Sequence, residues 1–179
     1  MIRCYITDRR NCRGNLLDNI ERVAADGIEM IQIREKDLES RQLAELTRAA
    51  VLRTQRFSVK IIVNGRADVA IGAGAHGIHL PSHSIPPLVW KQVWPELTVG
   101  ISCHTFPDLS GAEGADYAFF SPVFDSPGKA DARGLQDLAH AAQMSPVPVL
   151  ALGGITSQNA ETCIHAGAAG IAAVRMFQP

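Results

Sequence analysis

The chain has no cysteines in CxxC spacing; its four, Cys4, Cys12, Cys103 and Cys163, lie far apart. That scatter argues against a disulfide framework or a cysteine-built zinc site and fits reduced thiols in a cytoplasmic protein. Nor is there an excess of charge of either sign, since 17 Lys and Arg face 18 Asp and Glu for a net charge of -1. No global positive field therefore exists to hold a nucleic acid or an anionic membrane, and any basic site must be local. No apolar run reaches the ~20 residues that a membrane span requires, and no charged-then-apolar segment opens the chain. A low-complexity linker is also missing. The stretch "YITDRRN" that ends the first apolar run lacks the glycines of a dinucleotide or phosphate loop, which counts against an open doubly wound sheet.

What is present is alternation. Eight apolar, β-branched runs recur at 2–7, 28–34, 59–63, 77–80, 97–102, 116–121, 147–152 and 170–174. Segments with helical spacing lie between them at 16–26, 40–55, 135–143 and 157–167, the last with Ser157 as N-cap and a glycine at its end. Alternating strand and helix units force parallel pairing, and parallel strands covered on both faces are almost continuously apolar. The expected fold class is therefore α/β, a (β/α)8 TIM barrel forming one domain over 1–179. The sequence stops just past the eighth strand, so the last helix of such a barrel is expected to be missing. Uncovered apolar flanks on the first and last strands would then suit a partner subunit, as in a homodimer.

Barrel active sites lie at the C-terminal strand ends. There the sequence places Thr7 and Asp8, Gln32, Arg34 and Lys36, Asn64, His79, Ser102 and His104, the segment 121–129, Gly153, Gly154 and Thr156, and Arg175. Alternation puts Gln32, Arg34 and Lys36 on one side of an extended segment and Ile31 and Ile33 on the other. Arg offers a planar fork to phosphate oxygens and Lys a mobile point charge. The competing expectation is that both cations pair at the surface with Glu35 and Asp37. A second anion candidate is "ALGGITSQN", where Gly153 and Gly154 precede a helix expected to open at Thr156 or Ser157; the alternative is a pair of turn glycines. His76 and His79 should face opposite sides of their strand, so no metal site is expected from His76, His79 and His83. Cys103 and His104, adjacent on an extended chain, point apart and make no nucleophile pair. Asp68 reads as a helix-capping residue.

The segments "YITD", "IQIREKD", "IIVNGRADVA", "GIHLP", "GISCHT", "ADYAFFSPVFDSPGK", "PVLALGGIT" and "AGAAGIAAV" together resemble the thiamin phosphate synthase/TenI family, in order and along nearly the whole chain. The resemblance implies a barrel that binds a thiazole phosphate. It then either joins that phosphate to a pyrimidine pyrophosphate or, as in TenI, tautomerises a thiazole carboxylate phosphate. By resemblance Gln32, Arg34 and Lys36 surround the pyrimidine pyrophosphate, Asn64 contacts the pyrimidine and Ser102 lies beside the reacting centre. Ser126 and Lys129 belong to a loop that closes over phosphates, and Gly153 and Gly154 cradle the thiazole phosphate. His79 and Arg175 are expected to add ligand contacts.

The departures shape the expected chemistry. Synthases carry one acid directly after the Asn and another after strand four that hold magnesium, whereas this chain has Gly65 and Ser84 there, neither of which supplies a hard anionic oxygen. No cofactor is expected, with magnesium implied only if the chain is active as a synthase. These positions look more like TenI, which favours tautomerase-type proton transfer. Yet the residue aligned with TenI's catalytic His is Pro122, so the base must come from elsewhere, His104 after strand five or His79 after strand four being the available imidazoles, and the catalytic candidates are His104, Ser102 and Lys129. A third expectation, motivated by the loss of both catalytic sets, is a non-catalytic binding or sensor domain for thiamin-pathway phosphates.

Overall fold

The computed structural model describes residues 1–126 and 131–178. Eight parallel strands close into a barrel in sequence order: β1 (Ile2–Ile6), β2 (Met30–Ile33), β3 (Lys60–Asn64), β4 (Gly77–Leu80), β5 (Thr98–Cys103), β6 (Tyr117–Phe120), β7 (Val149–Leu152) and β8 (Gly170–Ala173). Seven α-helices alternate with them among the described residues: α1 (Leu16–Ala25), α2 (Ser40–Thr54), α3 (Ala67–Ala73), α4 (Pro87–Val93), α5 (Phe106–Ser110), α6 (Gly134–Met144) and α7 (Ala160–His165). None is long and apolar enough to cross a membrane.

The strand periodicity sorts side chains into two cores. Cys4, Ile6, Met30, Ile62, Tyr117, Phe119, Leu150 and Ala172 fill the barrel interior. Their neighbours Tyr5, Ile31, Ile33, Ile61, Val63, Ile78 and Val99 face the helices. Both faces are dry, which is why the strands read as unbroken apolar runs. Gly100 stands opposite Tyr117 in the β5–β6 register, and a Cβ there would collide with the Tyr117 ring. The glycine makes room for a large aromatic inside a narrow barrel.

Helix α1 buries Leu16, Ile20, Val23 and Ala24 at the spacing of one helical stripe, and Asn15 caps it by accepting from the Leu17 N–H. Helix α5 is only five residues long and begins with a capping box between Thr105 and Asp108. Helix α7 corrects the sequence expectation, since it starts at Ala160 rather than at Thr156 or Ser157. Asn159 closes the preceding turn instead, its Oδ1 accepting from the Thr156 N–H and its Nδ2 donating to the Gly154 carbonyl.

Past β8 the chain makes a 3-10 turn, Arg175–Phe177, in place of an eighth helix among the described residues. The expected bare flank of β1 and β8 is not found: Cys4 to Ile6 and all of β8 are buried. Phe177 packs edge-on against Tyr5, and its carbonyl accepts from Asn19 and Arg22. A groove of about 460 Å³ remains beside it, lined by Arg3, Arg22 and Asp26 as well as Val23, Met176 and Phe177. Exposed apolar side chains cluster on the α4 side, at Ile85, Leu88, Val89 and Val93.

Candidate functional site at the mouth of the barrel

The C-terminal strand ends gather most of the sequence candidates. Arg34, Lys36 and their acidic neighbours resolve into two sets. Glu35 is buried, 5% exposed, and its carboxylate accepts from the Thr7 hydroxyl at 2.6 Å and from the Arg9 N–H at 3.1 and 3.2 Å. Asp37 pairs with the Arg9 and Arg10 guanidinium groups. Thr7 also accepts from the Arg34 N–H at 3.0 Å, so the loop after β1 clasps the segment after β2. Arg34 and Lys36 are exposed and have no acidic partner among the described residues. The expectation that they are neutralised by Glu35 and Asp37 does not hold, because those acids have other partners.

Gln32, 1% exposed, donates through Nε2 to Asn64 Oδ1 at 3.0 Å. Its Oε1 is buried with no partner among the described residues. An unpaired buried acceptor costs about 1–3 kcal/mol, so this oxygen is poised for a donor from a ligand. Ser102, half-buried, lies 2.9 Å from His79 Nε2. His79 is 1% exposed, stacks on Phe119 at 4.2 Å and meets the Tyr117 hydroxyl through Nδ1 at 3.2 Å. Burial, with the Arg34 charge as a second cause, depresses its pKa to about 3, so its imidazole is neutral. Both ring nitrogens are engaged, which leaves His79 no free nitrogen for the direct ligand contact expected of it. Tyr117 was not apparent as a site residue in the sequence; the one signal was the glycine at position 100 within an apolar strand.

His104 is exposed, with Nδ1 3.0 Å from the Ser121 carbonyl. The Ser121 hydroxyl, which can either donate or accept, is also 3.2 Å from Nδ1, so Ser121 anchors this edge of the ring and turns Nε2 away from it. Cys103 faces the helices instead, and burial pushes its thiol up to about 12, which leaves it inert.

Gly153 and Gly154 have φ of 100° and 64°. Added Cβ atoms would stand 2.7 Å from Pro122 Cα and 2.6 Å from the Asp125 carbonyl, so both glycines serve close packing as well as turning. The expectation of open amides for an anion is corrected at one position: the Gly154 N–H donates to Ser126 Oγ at 2.9 Å. Two candidates are thus in contact, with the hydroxyl oxygen where a ligand oxygen would have to sit. Arg175 is exposed in the turn after β8. Lys129 lies outside the described residues.

The donor set does not fit magnesium. Gly65 has φ 69° and its N–H donates to the His79 carbonyl at 2.8 Å, and the Ser84 hydroxyl donates to the Ile85 carbonyl at 3.0 Å. The next acid, Asp68, is gripped by Arg66 at 2.6 and 2.9 Å, which holds its carboxyl below the usual range. Among the described residues no three His, Cys, Asp or Glu side chains converge. His76 lies just before β4, where its Nδ1 accepts from the Ile61 N–H, whereas His79 within the strand stacks on Phe119.

A family described as thiamine monophosphate synthase matches residues 3–177. The chain is 38% identical over 176 residues to a protein of Aquifex aeolicus named "Putative thiamine-phosphate synthase 2", covering 96% of this chain and 95% of that one. It is 37% identical over 176 residues to the thiamine-phosphate synthase of a Roseiflexus species, covering 94% and 75%. Among solved structures, thiamine phosphate pyrophosphorylase from Pyrococcus furiosus superposes with a TM-score of 0.86 at 30% identity, over 97% of this chain and 85% of that one. A 3-hexulose-6-phosphate synthase shares the fold alone, with a TM-score of 0.69 at 14% identity. The ordered motifs around the barrel mouth and these likenesses converge: the chain belongs to the thiamine monophosphate synthase family.

Proposed function

We propose that this protein is a cytoplasmic transferase that joins a pyrimidine pyrophosphate to a thiazole phosphate at the barrel mouth and releases pyrophosphate. The names of its relatives support this reading over the tautomerase that the magnesium-site positions suggest. The observation that carries it is the division of charge after β2. Glu35 and Asp37 are bound to the β1 loop, which leaves Arg34 and Lys36 unneutralised at the strand end that faces the ligand. As the bond to pyrophosphate lengthens, negative charge accumulates on the departing oxygens. Fixed cations favour that state more than the ground state. Gln32 and Asn64 would orient the pyrimidine and Ser102 the reacting centre, with Ser126, Lys129, Gly153, Gly154 and Arg175 on the phosphates. No step is assigned to magnesium, because the donors at positions 65 and 84 do not suit it.

The test follows pyrophosphate release and thiamin phosphate formation, with and without a chelator. Turnover that survives the chelator is expected, and Arg34→Ala should lower kcat/KM by about 10- to 100-fold, the loss of one charge-assisted hydrogen bond. Turnover that collapses with chelator would refute the metal-free reading. The exposed His104 imidazole at the end of β5, anchored at Nδ1 by Ser121 and with no partner at Nε2 among the described residues, favours a second reading, proton transfer on a thiazole carboxylate phosphate. No condensation, but tautomerisation that disappears in His104→Ala, would select it. Binding of both substrates without either reaction would instead mark a non-catalytic binder.

A further inference from the structure

The Ser102, His79 and Tyr117 cluster supports a statement about the direction of its hydrogen bonds. The Tyr117 hydroxyl is buried, 2% of the residue being exposed, and His79 Nδ1 at 3.2 Å is its one hydrogen-bond partner among the described residues. A phenol in that position must give its hydrogen to Nδ1, because the opposite arrangement leaves a buried O–H with no acceptor. Nδ1 is then an acceptor, so the single proton of the neutral imidazole is on Nε2. Nε2–H donates to Ser102 Oγ at 2.9 Å. The serine hydroxyl has no other partner among the described residues, so its own hydrogen is left to point into the mouth.

We propose that Tyr117 and His79 form a fixed relay that makes Ser102 a hydrogen-bond donor to an acceptor atom of the bound substrate, such as a ring nitrogen or an oxygen. Both relay residues are positioning residues. The arrangement is built rather than incidental: Phe119 stacks on the imidazole with ring planes 30° apart, and Gly100 clears the space in which the Tyr117 ring lies. Burial and the nearby Arg34 exclude the imidazolium, which would otherwise also present Nε2–H but could not accept from Tyr117. An analogue carrying an N–H donor in place of the acceptor atom should be rejected, since two donors would then face each other.

This inference rests on the substrate reading above, and its test separates the two. In the ligand-free protein, nitrogen NMR of the histidine side chains should show His79 as a single tautomer protonated at Nε2, unchanged from roughly pH 5 to 8. A proton on Nδ1, or titration within that range, would overturn the relay. In Tyr117→Phe, which keeps the ring volume, both tautomers should be populated and the affinity for pyrimidine pyrophosphate or thiazole phosphate should fall about 3- to 10-fold. His79→Gln, whose amide can still donate to Ser102, should bind within about 2-fold of the parent, and His79→Leu should bind as poorly as Ser102→Ala. Unchanged binding in Tyr117→Phe would refute the positioning role even with the expected tautomer. If the parent binds neither compound, the substrate reading fails while the tautomer measurement still decides the relay.

Discussion

Removing the buried imidazole should make the protein less sensitive to acid. His79 has a folded-state pKa of about 3, held down first by burial and then by Arg34, against about 6.5 when the chain is unfolded. Between those values the unfolded state holds one proton more than the folded state, so stability rises with pH through that window. The contribution is fully present above about pH 6.5 and is lost as pH falls, by about 1.4 kcal/mol per pH unit. At pH 4.5 the loss is about 3 kcal/mol, from two units at that slope. In His79→Gln the same site does not titrate. Asp68 and Asp108, whose pKa values are also lowered in the fold, lose stability in the same direction, but they are common to both proteins and cancel. Urea unfolding of parent and variant at pH 7 and pH 4.5 gives the four free energies required. The parent should lose about 3 kcal/mol more than the variant over that interval. Equal losses, within about 0.5 kcal/mol, would show that the imidazole can charge inside the barrel, and the account of a neutral His79 would fail.

Two further outcomes test the packing and the clasp. Gly153→Ala combines a φ of 100° with a Cβ 2.7 Å from Pro122 Cα, so it should destabilise the fold by more than about 2 kcal/mol, seen as a Tm lower by about 4 °C or more; a shift under about 1 °C would refute the close-packing reading. Glu35→Gln keeps one oxygen able to accept from Thr7 and Arg9 but removes the charge and turns the second oxygen, 3.2 Å from the Arg9 N–H, into an opposing N–H donor, so a cost of about 1–3 kcal/mol is expected in chemical denaturation, and no change would mean the clasp contributes little.

The barrel was readable because its signal repeats. Each strand is apolar on both faces and each is followed by a helical or turn segment, so eight modest cues add together. The elements that escaped prediction are set by neighbours distant in the chain. Tyr117 reaches His79 across 38 positions, through a register fixed only once β4, β5 and β6 align. The fate of Glu35 depended on Thr7 and Arg9, 28 and 26 positions away. Local spacing correctly separated Gln32 from Ile31 and Ile33, but it could not say who would neutralise whom. At α7, Ser157 had the right chemistry for a cap, yet Asn159 could reach both Thr156 and Gly154 and so set the boundary.

The loop after β1 also controls the sign of the field at the mouth. Because charges of opposite sign alternate from Arg34 to Asp37, moving that segment forward by one residue would turn a pair of cations into a pair of anions and convert an anion trap into an anion barrier. The grip of Thr7 and Arg9 on Glu35 works as a ratchet tooth against that slip, so a neutral threonine hydroxyl governs which sign of charge this strand end presents.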